Sequence, residues 1–293
     1  MPVAIFTQPF YRLVTDRTDG PPPARVSLSM SLRLVAILLS LVIVPTVAGR
    51  TRAVASRIDS LQRILVITAH PDDEVLIAPL LANRCIRGRA SCSILVMTTG
   101  NAAGLGELRA AEMQQSAALL NLRLTQWTFS DVMADVDAVW AAEAGDRATL
   151  IARIAEMIAA EDPDLILTLD PRHGSTCHPA HRAIGQLVLE TGATNLFFIE
   201  TAARFIGDGF DLWNASPRYA WVYAANDDWQ YAPRVAEIHA TQFTSAQVES
   251  LRTVPEMHRR VWFAPSTAPV QLTCDLECAP CLPPSPIATS TTR

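Results

Sequence analysis

The stretch from Arg63 to Leu80, RILVITAHPDDEVLIAPL, constrains the fold more than any other. Ile64 to Thr68 is an apolar, β-branched run of the kind that forms a strand buried on both faces. It stops at His70-Pro71-Asp72-Asp73-Glu74, where a helical apolar pattern begins. A strand thus delivers an imidazole and three carboxylates to one turn. Pro71 keeps the preceding backbone extended, and acids are favoured at the positive end of a helix, so these acids alone would be ordinary. A second stretch, Asp164 to His181 (DLILTLDPRHGSTCHPAH), repeats the arrangement: Leu165 to Leu169 reads as a buried strand, followed by Asp170, His173, His178 and His181. Half of the six histidines lie there, and His178 and His181, three apart, share one side of a helix start. Two strand ends loaded with imidazole and carboxylate point to one metal site with nitrogen and oxygen ligands.

Strands and helices alternate between and around these stretches. Ser93 to Thr98 and Thr125 to Phe129 read as strands. Leu105 to Leu120, Ala148 to Ala160 and Pro179 to Leu189 read as helices, and Leu196 to Glu200 reads as a fifth strand. The pattern predicts an α/β, Rossmann-like three-layer fold with a mainly parallel sheet in the order 3-2-1-4-5. In that order strands one and four are neighbours at the switch point, where ligands bind in open α/β sheets. Beyond Thr201 the chain becomes aromatic and irregular, with Trp213, Tyr219, Trp221, Tyr223, Trp229 and Tyr231. The expectation there is a small C-terminal α+β extension, with one helix from Tyr231 to Leu251 carrying His239 and Gln242.

Composition narrows the partners. With 293 residues, 49% of them hydrophobic, the chain can bury a sizeable core, and a net charge of −5 without a basic stripe gives no reason to expect nucleic acid. Arg33, the apolar run Leu34 to Ala48 and the small residues after it form the pattern of a secretory signal cut after Ala48 or Ala55. Arg50, Arg52 and Arg57 also fit an uncleaved N-terminal membrane anchor. Residues 1–60 are read as this leader, 61–265 as the catalytic domain and 266–293 as a Cys/Pro/Ser/Thr-rich tail. The even count of six cysteines favours an extracytoplasmic location, secreted or periplasmic. Cys85 and Cys92 bracket a short loop that a disulfide can close, while Cys274, Cys278 and Cys281 leave open a bond to Cys177 or a weak second metal site.

The His70-to-Glu74 turn after the first strand, paired with His178-Pro179-Ala180-His181 after a later one, resembles the N-acetylglucosaminyl-phosphatidylinositol de-N-acetylase (PIG-L/LmbE-like) family of zinc-dependent deacetylases. The likeness runs from about Arg63 to Gln242 and includes Gly106-Glu107-Leu108-Arg109-Ala110-Ala111-Glu112 and His239-Ala240-Thr241-Gln242. It implies Zn2+ held by His70, Asp73 and His181, Asp72 as general base, His178 as a protonated donor to the oxyanion or leaving amine, and Arg109 as a substrate-binding arginine. Asn101, His173 and His239 are further residues expected to contact substrate. The implied reaction is removal of acetyl from an N-acetylglucosamine-type sugar or glycoconjugate; the alternative is a metal-containing carbohydrate-binding protein with weak or no turnover. Ala180 stands where the family commonly has aspartate, which leaves Asp170 as the expected substitute for orienting an imidazole.

Overall fold

Five continuous apolar runs set the frame of the computed structural model, which describes residues 60–172, 174–199, 201–206, 209–214, 221–224, 227–254 and 260–265. They become β1 (Arg63–Thr68), β2 (Ser91–Thr98), β3 (Leu122–Phe129), β4 (Leu165–Leu169) and β5 (Leu196–Ile199). All five are parallel, in the expected order β3-β2-β1-β4-β5. β1 and β4 are buried almost throughout, as central parallel strands must be when helices cover both faces. Ile67 pairs with Leu95 on one side and Thr168 on the other, so the turns after β1 and β4 leave the sheet at the same level.

The helices divide into two groups. α1 (Ala78–Leu81) and α2 (Gly106–Leu119) both pack on α7 (Tyr231–Ile238); α3 (Val136–Ala144), α4 (Arg147–Glu161) and α6 (Pro179–Glu190) pack on one another, while the one-turn α5 (Gly174–Cys177) leads into α6. α3 was not anticipated; its Trp140 is fully buried and donates its indole N–H to Ser130 O at 2.8 Å. After the His70–Glu74 turn the chain coils irregularly, as a 3-10 turn over Asp73–Ile77, then α1, then a π turn over Ala82–Arg87. Pro79 sits at the start of α1, where its missing N–H is tolerated.

The C-terminal extension differs in part from the expectation. β8 (Trp221–Ala224) and β9 (Arg260–Pro265) continue the main sheet antiparallel beyond β5, and β6 (Thr201–Ile206) and β7 (Gly209–Asn214) form a separate hairpin. The single helix expected over 231–251 is broken into α7 and α8 (Ser245–Thr253). Thr244 and Gln247 form a reciprocal capping box that starts α8 afresh, with Thr244 N–H donating to Gln247 Oε1 at 2.8 Å and Gln247 N–H to Thr244 Oγ1 at 3.2 Å. The break frees residues 239–244 to cross toward the β1 turn.

α6 lies close enough to β4 that Gly185 admits no side chain: a Cβ there would stand 2.1 Å from Leu169 O. Gly185→Ala is therefore expected to destabilise the fold by about 1–3 kcal/mol or more, read as a lower urea midpoint at unchanged m-value. Cys85 and Cys92 are disulfide-bonded, with Cα atoms 5.8 Å apart, and Cys177 is disulfide-bonded as well. Residues 1–59, the 266–293 tail with Cys274, Cys278 and Cys281, His173 and Tyr219 lie outside the described residues.

Candidate active site

The turn after β1 is built by Asp73. Its Oδ2 accepts the main-chain N–H groups of Ala69 and His70 at 3.0 and 2.9 Å, which ties the end of the strand and leaves Oδ1 free to face outward. From the β4 side, His181 gives its Nδ1–H to Gly174 O at 2.7 Å, leaving Nε2 with a bare lone pair. That nitrogen stands 2.9 Å from Asp73 Oδ1 and 3.1 Å from His70 Nδ1. On the far side of its ring, His70 Nε2 lies 3.2 Å from Asp131 Oδ1, a carboxylate whose charge favours the ring proton on that side and so frees Nδ1.

Three electron pairs thus converge on one buried point. They repel one another unless a cation or a proton sits among them. Ligand atoms of a tetrahedral ion with bonds of about 2.0–2.2 Å stand about 3.3 Å apart, close to the two spacings at His181 Nε2, while His70 Nδ1 stands 4.0 Å from Asp73 Oδ2; a set of two imidazoles and a carboxylate suits a zinc-like divalent ion. The residues fit a metal.

His178 also belongs to the cluster: nitrogens of His70, His178 and His181 lie within 4.8 Å of one another. Its role is separable by hydrogen bonding. His178 caps α6, and its Nδ1 accepts the Ala180 N–H at 3.2 Å, so the neutral ring carries its proton on Nε2 and presents a donor where a metal needs a lone pair. Burial, with His181 and His70 alongside, pushes its pKa down to about 3. The protonated His178 expected from the resemblance is not the form that this environment favours, which is the neutral ring.

The charges around Asp72 oppose one another. Burial and then the Asp73 carboxylate push its pKa up to about 6, against the pull of Arg109. Asp73 is held well below the usual carboxylate range, because the His181 and His70 imidazoles outweigh burial. For His181 burial opposes the charged form, but Asp73 outweighs it and the pKa rises. Asp72 itself sits at φ 109°, ψ −18°, a left-handed conformation costly for a residue with a Cβ.

Arg109 closes the wall beside it. Nη1 donates to Gly100 O at 3.1 Å, and Nη2 to Pro71 O at 2.9 Å and Asp72 Oδ2 at 3.4 Å. Gly100 is required here: it has φ +71°, and a Cβ would stand 2.4 Å from the guanidinium. A pocket of about 450 Å³ opens over His70, Asp72, Asp73, Arg109, His178 and His181.

Two expected substrate contacts fall elsewhere. Asn101 is exposed, does not line the pocket, and spends its Oδ1 accepting the Gly106 N–H at 3.0 Å, because the start of α2 lacks another cap. His239 is fully buried behind the β1 turn, drawn there by Glu74. Asp170 Oδ1 accepts the Arg172 N–H at 3.1 Å, and a carboxylate that stands against the His70 ring is Asp131. Asp131 was missed. The available signal was its position just past the C-terminal end of β3, where loops of a parallel sheet carry function.

Residues 65–191 match the family model described as PIG-L: GlcNAc-PI de-N-acetylase. By sequence the chain is 28% identical over 170 residues to the N-acetylglucosaminyl-phosphatidylinositol de-N-acetylase of Saccharomyces cerevisiae, covering 52% of each protein. It is 29% identical over 161 residues to the enzyme of the same name from Arthroderma benhamiae, covering 42% of this chain and 48% of that one. The match spans about half the length of these relatives. In fold it is similar to the N,N'-diacetylchitobiose deacetylase of Pyrococcus horikoshii, with a TM-score of 0.51 at 18% identity over 68% of this chain and 79% of that one. A conserved protein of Thermus thermophilus also gives a TM-score of 0.51, at 19% identity over 70% of this chain and 94% of that one.

The extracytoplasmic location expected from the leader and the cysteine count is corrected by the yeast match, whose name is that of a de-N-acetylase of a phosphatidylinositol lipid. The Cys85–Cys92 bond closes a local loop and does not by itself place the chain. No helix among the described residues is long and apolar enough to cross a membrane. The parallel sheet brings both histidine-bearing turns together at its switch point, and the stretch that carries them, residues 65–191, is a PIG-L domain by its match to that family model.

Proposed function

We propose that the chain is a zinc-dependent hydrolase that removes acetyl from an N-acetylglucosamine-type substrate, with residues 61–265 as the catalytic domain. The observation that carries this reading is the convergence of Asp73 Oδ1 and His70 Nδ1 on His181 Nε2, at 2.9 and 3.1 Å from it, beside a half-buried Asp72 in the pocket. His70, Asp73 and His181 would hold the ion, which when bound supplies Lewis-acid chemistry toward water and an amide carbonyl. The names of the two sequence relatives support an N-acetylated amino sugar as substrate.

The chain's own groups fit the proton movements of amide hydrolysis. Water adds to the acetamido carbon and loses a proton to Asp72, whose pKa of about 6 suits a base near neutral pH. His178 directs Nε2–H at the oxygen that gains negative charge, a contact that strengthens in the transition state. The carbon–nitrogen bond then breaks, and the amine leaves with the proton that Asp72 had taken. Arg109 keeps Asp72 aimed and presents positive charge to substrate oxygens on the same wall.

The test is acetate release by the zinc-loaded full chain from a panel of N-acetylglucosaminides that includes N-acetylglucosaminyl-phosphatidylinositol. Acetate and a free amine in equal amounts from at least one member are expected. Zinc and sugar binding without any acetate would replace this reading with the carbohydrate-binding one.

A further inference from the structure

Behind the pocket turn lies a second cluster that the proposed chemistry does not use. Glu74, the last acid of the turn, and His239, from the segment after α7, are both fully buried, with His239 Nε2 2.6 Å from Glu74 Oε1. Ser116 Oγ on α2 donates to the same oxygen at 2.5 Å. The other oxygen, Oε2, accepts the main-chain N–H of Asp72 at 3.1 Å. One helical turn before Ser116, Glu112 accepts from Thr241 N and Thr241 Oγ1 at 3.0 and 2.5 Å and stands 4.0 Å from His239 Nδ1. α2 and residues 239–241 therefore grip Glu74 from two directions.

Burial opposes charge on both partners, yet each outweighs it for the other: the Glu74 carboxyl is lowered and the His239 imidazole raised. A buried ion pair is a weak way to stabilise a fold, since apolar side chains of similar volume do as well or better. It does fix geometry. The geometry at stake is the left-handed Asp72, a conformation costly for a non-glycine residue that persists only where its surroundings over-determine it. Asp72 is restrained by Arg109 on its carboxylate, by the Val75 N–H on its carbonyl oxygen at 3.1 Å, and by Glu74 on its N–H, the only side-chain carboxylate of the three.

We infer that His239 is a positioning residue: acting through Glu74, it holds the Asp72 backbone in its left-handed conformation and so aims the carboxylate into the pocket. The consequence for turnover rests on Asp72 being the general base; the conformational claim does not. Two readouts keep these apart. In hydrogen–deuterium exchange, His239→Ala should speed exchange of the Asp72 amide at least about tenfold while residues 91–98 and 165–169 stay protected. In turnover, His239→Ala should lower kcat about tenfold to a hundredfold with KM within about twofold, and His239→Gln, which can still donate to Glu74, should recover part of the loss. In an Asp72→Asn background His239→Ala should cost less than about twofold, because the residue through which it acts is already disabled.

Unchanged exchange at Asp72, equal loosening of β2 and β4, or the same kcat loss in both backgrounds would overturn the inference. Should His239→Ala not fold, Ser116→Ala removes a different partner of the same Glu74 oxygen with little change in volume and should give the same pattern, weaker. Should the unaltered chain release no acetate, the catalytic reading fails and the exchange measurement alone decides the role of His239.

Discussion

Asp72→Asn is expected to keep its zinc and lose about a hundredfold or more in turnover, the effect of removing a positioned general base. The side chain keeps its size and its place beside Arg109, 3.4 Å from Nη2, so the substitution removes basicity with little change of shape. Its neighbour behaves differently for a reason visible in the turn. Asp73 Oδ2 is committed to the N–H groups of Ala69 and His70, which points Oδ1 at His181, whereas the left-handed backbone of Asp72 swings its carboxylate toward the pocket mouth and Arg109. Metal analysis of the purified variant alongside its acetate release separates the two aspartates. Loss of zinc in Asp72→Asn with retention in Asp73→Asn would mean that the assignments are reversed.

The second large effect belongs to the ligand set. His70→Ala, Asp73→Ala and His181→Ala should each lose zinc and with it activity, since two remaining donors hold a tetrahedral ion poorly. Asp131→Ala is the graded control: it removes only the carboxylate that orients His70, so zinc affinity should fall about tenfold to a hundredfold without vanishing. His178→Ala should retain zinc, because its Nδ1 is engaged by the Ala180 N–H and its Nε2 carries the proton. Competition with a chelator of known affinity ranks all five variants. Zinc loss in His178→Ala with retention in Asp73→Ala would move the ion onto the three imidazoles.

The sheet was legible because a parallel strand buried on both faces is apolar at nearly every position, so Ile64–Thr68 and Leu165–Leu169 announce themselves without alternation. Both halves of the site were legible for a related reason: loops at the C-terminal ends of neighbouring parallel strands meet, and unusual residues clustered in two of them. Asp131 went unread because it is a single carboxylate in a loop with no imidazole beside it in sequence. The Glu74–His239 pair spans 165 residues, and no local pattern signals a contact that only packing creates. Asn101 looked like a substrate contact and is a local brace for Gly106, a use of asparagine as common as recognition at a helix start. His178 was identified as part of the site, but its charge state depends on burial and on two neighbouring rings that the sequence does not place.

The central claim is that His70, Asp73 and His181 hold an ion on which hydrolysis depends. The most direct measurement follows acetate release by one preparation of the full chain before chelation, after chelation and after return of zinc, with metal content determined at each stage. The account predicts that activity disappears with the ion and returns in proportion to zinc rebound, reaching its maximum at about one zinc per chain. Full acetate release from metal-free protein, or zinc rebinding to the His181→Ala variant as tightly as to the unaltered chain, would contradict it.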